Sequence, residues 1–167
     1  MKILYIIPAR QGSKGLPGKN IKLLGKKPLV TYSIETAMSL TSPEDICVTT
    51  DCEEVIRITE EMGLMPLVRP AELATDVAGS YEVILHALEA FTLRRGTYDY
   101  VLLLQPTSPF RSVNHITDVI DLARKHSEAE LIVSVKESKD NPYFNLFEQD
   151  PEGYLRKSKE GVFTRRQ

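Results

Sequence analysis

Five apolar runs punctuate the chain: KILYIIP (2–8), DICVTT (45–50), LMPLV (64–68), YVLLLQ (100–105) and ELIVSV (130–135). Each is short, rich in Val, Ile and Leu, and lacks the polar alternation of a sheet with one wet face. They are predicted to be buried parallel strands. Between them, PLVTYSIETAMSL (28–40), CEEVIRITEEMG (52–63), SYEVILHALEAFTLRR (80–95) and VNHITDVIDLARKH (113–126) repeat apolar residues at intervals of three and four, the spacing of one helix face. In the third of these, Tyr81, Ile84, Leu85, Leu88 and Phe91 are expected to face the core, with Glu82, His86 and Glu89 turned outward. Pro28 and Gly63 supply start and stop signals for the first and second helices. The alternation predicts an α/β fold, a mostly parallel sheet with helices on both faces.

That rhythm stops at about residue 136. Pro142, Asn145 and the turn sequence DPEGY (150–154) replace it, and a projecting hairpin is expected there. The sequence therefore divides into a core, 1–135, and an extension, 136–167. Tyr143, Phe144, Leu146, Phe147 and Tyr154 are too apolar to leave wet on an isolated hairpin, which predicts burial against a second copy of the chain, the alternative being packing back on the same domain. With 167 residues and 42% apolar content, the chain suits a soluble globule. No apolar run approaches the roughly 20 residues that span a bilayer, and no leader cleavage pattern precedes the first strand, so the cytoplasm is the expected location. Cys47 and Cys52 match neither a zinc spacing nor a disulfide framework and are expected to be reduced.

Charge changes the picture more than composition does. Lys2, Arg10, Lys14, Lys19, Lys22, Lys26 and Lys27 precede the first acidic residue, Glu35. The other 14 basic residues face 23 acidic ones, so a +7 segment is joined to a −9 remainder. A chain basic at one end only is poorly suited to nucleic acid, which needs a broad basic face. It suits one small, highly charged anion. In doubly wound sheets ligands sit beyond the carboxyl ends of strands, so loops 8–20, 69–79 and 106–112 should border one crevice. In the first loop, Gly12, Gly15 and Gly18 would let a polyphosphate approach the backbone, with Arg10, Lys14 and Lys19 offsetting its charge.

The loop belongs to neither of the two commonest phosphate motifs. Five residues separate Gly12 from Gly18 where a P-loop has four, Asn20 stands where its hydroxyl should be, and the Gly-x-Gly start of a dinucleotide fingerprint is absent. Without further context Arg69 reads as a strand-end cap and Asp76 as a helix cap or a solvated acid. Gln105 closes a run of leucines before PTSP, which is harder to explain as surface. None of His86, His115 and His126 is given a catalytic role.

IPARQGSKGLPGKN (7–20), RPAELATDVAGSYEVILHAL (69–88) and LLLQPTSPFR (102–111) resemble, in order, three motifs of the acylneuraminate cytidylyltransferases, the CMP-sialic acid synthetase family. The resemblance implies a Rossmann-like nucleotidyltransferase sheet with a projecting dimerisation hairpin. It implies transfer of CMP from CTP to the anomeric hydroxyl of sialic acid or a related nonulosonic acid, releasing pyrophosphate with Mg2+ bridging phosphate oxygens. Arg10, Ser13, Lys14 and Lys19 would hold the phosphates, with Arg10 and Lys19 as the catalytic cations, and Ala9, Gly12 and Gly15 would complete the nucleotide loop. Asn20 and Ser80 would contact the ribose, Arg69 and the backbone near Ala78 the cytosine, and Gln105, Thr107 and Ser108 the sugar acid. Arg165, Arg166 and Gln167, in FTRRQ (163–167), would reach the sugar carboxylate. Family members usually continue further and carry their metal-binding aspartates later, so the resemblance implies a C-terminally truncated chain without protein metal ligands. Phe144 stands about where some members carry a lysine that reaches a partner's site. The alternatives are a nucleotidyltransferase for another sugar acid such as Kdo or with another base, and a CTP-binding fragment without turnover.

Overall fold

The computed structural model describes residues 1–12, 15–75, 79–138, 140, 142–143 and 145–159. In chain order the elements are strand β1 (Ile3–Pro8), a short hairpin of β2 (Leu23–Leu24) and β3 (Lys27–Pro28), helix α1 (Leu29–Met38), β4 (Ile46–Thr50), α2 (Glu53–Glu61), β5 (Pro66–Val68), α3 (Ser80–Arg95), β6 (Tyr100–Leu103), α4 (Val113–Lys125), β7 (Phe147–Gln149) and β8 (Leu155–Lys157). They fall into two compact units, Met1–Leu122 and Ala123–Gln167. The sequence-based boundary at 135/136 lies inside the second.

In the first unit four parallel strands take the order β5-β4-β1-β6. The register pairs Tyr5 with Ile46 on one side of β1 and with Leu102 on the other. This order dictates which face each helix covers. A parallel crossover is right-handed, so stepping β1 to β4 to β5 lays α1 and α2 on one face, and stepping back across β1 to β6 lays α3 on the other. The core follows suit. Tyr5 and Ile7 pack with Val30 and Ile34 of α1 and Val55 and Ile58 of α2, while Leu4 and Ile6 pack with Ala87 and Phe91 of α3. Since β1 is covered on both faces, its near-continuous apolar run is physically required.

The ends of the elements obey local chemistry. Pro28 is the N-cap of α1, and Gly63, past the end of α2, adopts φ +76, the left-handed geometry that closes a helix. The β2–β3 hairpin, not foreseen from the sequence, turns through Gly25 at φ +64, and the Tyr32 hydroxyl donates to the Leu24 carbonyl to hold it.

Two expectations are corrected. The buried face of α3 is Val83, Ile84, Ala87, Leu88 and Phe91, whereas Tyr81 is 68% exposed and Leu85 also faces solvent. Apolar residues surround this helix on nearly every side, so periodicity allowed two offset faces and packing on β1 and β4 selected one. His86, expected to point outward, is half-buried, and its Nδ1 has no hydrogen-bond partner among the described residues. The second correction is the fifth strand. Residues 131–138 form no strand, and Leu131 and Val135 are 79% and 87% exposed. An apolar run signals a demand for burial, but a strand also needs a neighbouring backbone to pair with, and among the described residues none flanks it.

In the second unit the predicted hairpin is present. β7 and β8 pair antiparallel with Phe147 opposite Lys157, around a turn in which Gly153 sits at φ +90. Asp150 organises it, its carboxylate accepting from the Tyr154 N–H (2.8 Å) and the Arg156 Nε (2.6 Å).

Candidate functional site

The strand order reverses between β1 and β6, where a doubly wound sheet opens a crevice. An open cleft of about 270 Å3 lies there. Its floor is apolar, made by Pro8 at the end of β1, Leu103 of β6, Leu73, and Val83 and Ile84 from the first turns of α3. Its rim is polar. Arg10 follows β1, Lys19 and Asn20 open the 3-10 turn Lys19–Ile21, Arg69 leaves β5, Ser80 begins α3, and Gln105 and Thr107 follow β6. The three loops thus border one crevice, as their placement after strands predicted.

Several of the polar lining groups bond to backbone carbonyls. The Arg10 Nη1 donates to the Thr75 carbonyl at 2.7 Å. Asn20 is only 5% exposed and its Nδ2 donates to the Arg10 carbonyl (3.0 Å), while its Oδ1 is buried with no partner among the described residues. A buried acceptor left open costs free energy unless something fills it. Arg69 is 6% exposed; its N–H donates to Thr50 O (2.8 Å), its Nη2 to Thr49 O (3.0 Å) and its Nε to Thr49 Oγ1 (3.4 Å). Burial lowers the Arg69 pKa; Asp51 opposes that shift and Arg10 adds to it. The strand-end role foreseen for Arg69 is therefore real, and the same guanidinium also lines the cleft.

Seven predicted site residues meet around the cleft: Arg10, Lys19, Asn20, Arg69, Ser80, Gln105 and Thr107. Ala9 does not line it; it is buried and its N–H donates to Thr49 O at 3.0 Å. Gly12 and Gly15 stand on the exposed outer part of the loop, where an added Cβ would meet nothing within 4 Å. Ser108 is likewise outside the lining, its N–H donating to Gln105 O at 3.1 Å. Ser13, Lys14, Asp76, Ala78, Phe144, Arg165, Arg166 and Gln167 lie outside the described residues.

Sequence reasoning missed two features. Thr49, Thr50 and Asp51 form a polar corner at the end of β4 that contacts both neighbouring loops, and the available signal was three consecutive hydrogen-bonding side chains closing an otherwise buried strand. Arg111 is half-buried, with its Nη2 donating to Gln105 O and its Nη1 lacking a partner among the described residues. Burial lowers its pKa.

Such a cleft fits an anion that also carries an apolar ring and hydroxyl donors. Its described lining does not fit a protein-held Mg2+, which takes hard oxygen ligands. Among the described residues the lining offers guanidinium, ammonium, amide and hydroxyl groups but no carboxylate, and no group of three or more His, Cys, Asp or Glu that could hold a metal occurs. Both cysteines are free and buried. Among the described residues no helix is long and apolar enough to cross a membrane.

Comparison with known proteins agrees with this chemistry. A family model described as "Cytidylyltransferase" matches residues 4–162. An N-acylneuraminate cytidylyltransferase of Escherichia coli O18:K1:H7 is 47% identical over 137 residues, covering 82% of this chain and 32% of that protein. A CMP-N,N'-diacetyllegionaminic acid synthase of Legionella pneumophila is 38% identical over 135 residues, covering 80% and 58%. The chain thus spans about a third of the length of the first of these relatives and somewhat under three fifths of the second. Among solved structures, CMP:2-keto-3-deoxy-manno-octonic acid synthetase complexed with CTP superposes with a TM-score of 0.62 at 20% identity, covering 76% of this chain and 49% of that one, a likeness of fold.

Proposed function

Because the chain belongs to the cytidylyltransferase family, we propose that it transfers CMP from CTP to the anomeric hydroxyl of sialic acid or a related nonulosonic acid. The observation that carries this reading is the convergence of Arg10, Lys19, Asn20, Arg69 and Gln105 on one cleft at the strand reversal. Arg10 and Lys19 hold the triphosphate and stabilise the charge that develops on the α-phosphate and the departing pyrophosphate. The open Oδ1 of Asn20 accepts a ribose hydroxyl, assisted by Ser80. Arg69, immobilised by Thr49, presents its guanidinium edge to the cytosine, and Gln105 and Thr107 face the sugar acid. The anomeric oxygen attacks the α-phosphorus, the bond to the β-phosphate oxygen breaks, pyrophosphate leaves, and the hydroxyl proton passes to solvent. Mg2+ would be held by the nucleotide's own phosphates and would supply charge neutralisation there.

The finer features of the reading are a cytoplasmic homodimer, with the core 1–135 carrying the nucleotide and the extension 136–167 the subunit contact. Exposed Phe147, Tyr154 and Leu155 on the hairpin support that contact. The runner-up is Kdo as acceptor. Calorimetric titration with CTP and UTP, followed by pyrophosphate release with sialic, legionaminic and pseudaminic acids and Kdo, tests the set. CTP is expected to bind at least about tenfold more tightly than UTP, since a site built on specific hydrogen bonds rejects a base that cannot make them. Equal affinity for the two overturns the assignment of the base, and release with Kdo alone selects the runner-up.

A further inference from the structure

We propose that Thr49, Thr50 and Asp51 form one frame that positions both halves of the nucleotide cleft, with Asp51 the positioning residue for the phosphate loop; this rests on the nucleotide reading above. Three consecutive residues at the carboxyl end of β4 reach the two loops on either side. Toward the basic loop, Thr49 O accepts the Ala9 N–H (3.0 Å), Thr50 Oγ1 donates to Ala9 O (2.6 Å), and Asp51 Oδ1 accepts the Gln11 N–H (2.7 Å). Toward the other loop, Thr50 O accepts the Arg69 N–H (2.8 Å) and Thr49 O the Arg69 Nη2 (3.0 Å). Thr50 Oγ1 also accepts the Cys52 N–H at 3.0 Å, which fixes its rotor. Both threonines are fully buried, so their hydroxyls cannot exchange these bonds for water.

Asp51 is the informative member. A carboxylate next to a polyphosphate site opposes the ligand's charge, even with Arg69 close enough to interact with it, so on the ligand's electrostatics alone the position should be neutral or basic. Its carboxylate instead receives the backbone N–H at the root of the glycine loop, where the chain turns outward between Ala9 and Gly12. The charge-assisted bond holds that turn. Asp51 itself does not line the cleft, so it acts through Gln11.

The two contributions of Asp51 have opposite signs for binding, and that separates them. Asp51→Asn keeps an Oδ1 acceptor for Gln11 and removes the charge; Asp51→Ala removes both. The expected result, from calorimetric titration with CTP, is that Asp51→Asn binds at least as tightly as the unsubstituted chain and Asp51→Ala at least about tenfold more weakly. Amide hydrogen exchange at Gln11 should accelerate in Asp51→Ala and not in Asp51→Asn. A residue acting only by its charge would make both variants bind more tightly, and one acting only on stability would lower affinity in step with melting temperature; either pattern overturns the proposal. If the unsubstituted chain binds no CTP, the nucleotide reading fails on its own, while equal Gln11 exchange in the two variants overturns the positioning role separately.

Discussion

The two ends of the central sheet are built on opposite principles. At the amino ends of the strands the polar groups are matched to one another. Lys2 N–H donates to Asp99 (2.7 Å), Lys2 Nζ donates to the Arg95 carbonyl (2.5 Å) and lies over the Tyr98 ring, Arg95 pairs with Glu44 (2.8 Å), and the Tyr98 hydroxyl donates to Asp45 (2.9 Å). At the carboxyl ends the buried Arg69 rests on the Thr49 carbonyl, and Asn20 Oδ1 and Arg111 Nη1 have no partner among the described residues. The closed end stabilises the chain. The open end leaves hydrogen-bonding capacity unused, which is what a binding site must do before its ligand arrives.

The comparison breaks most visibly at the open end. Replacing Arg10 and Lys19 together by alanine is expected to weaken CTP binding by about a thousandfold, two charge-assisted contacts at about 2 kcal/mol each. The melting temperature should move by no more than about 3 °C. Calorimetry and a thermal melt on the same samples check both halves of the statement.

At the closed end the order of effects reverses. Tyr98→Phe should lower stability by about 1 kcal/mol, read from urea unfolding, with CTP affinity unchanged. Its pH dependence sharpens the point. Burial, followed by the bond to Asp45, pushes the Tyr98 pKa up from 10.0 to about 12. The folded form therefore favours the neutral phenol, so this stabilisation is complete below pH 10 and is lost as pH rises from about 10 to 12. The buried Cys47 thiol, pushed up from 9.0 to about 12, loses its contribution in an overlapping window. Against that shared background, melting temperature should fall less steeply between pH 10 and 12 in Tyr98→Phe than in the parent.

The smallest effect belongs to the exposed Arg95–Glu44 pair. Arg95→Gln should cost at most about 0.5 kcal/mol, vanishing in 0.5 M salt, and leave CTP affinity untouched.

Much of this architecture was legible in the sequence because β1 and β4 are short, nearly continuous apolar runs and α2 and α4 carry strong helical periodicity. The cleft was legible because Arg10, Lys19, Arg69 and Gln105 each follow a strand, and topology alone brings such positions together. Other features depend on quantities that a linear pattern does not hold. The face that α3 buries was set by packing, so Tyr81 and Leu85 were misassigned. The run 130–135 had the composition of a strand but no pairing neighbour among the described residues. The Thr49–Asp51 corner escaped because threonines in a strand look like ordinary β-formers until the carbonyls they serve are known. Arg111 was read as the end of a motif, and its bond to the Gln105 carbonyl is set by how the 105–112 loop folds back on itself.

The place of β1 in the middle of the sheet has a bearing on biogenesis. Its partners lie some forty and some hundred positions downstream, Tyr5 with Ile46 and Ile3 with Tyr100. During synthesis the amino-terminal strand must wait, water-exposed and apolar, until β6 has left the ribosome, an interval of about ten seconds at ordinary elongation rates. Chaperone capture and mispairing compete with maturation in that interval, and ribosome pausing before Tyr100 would lengthen it.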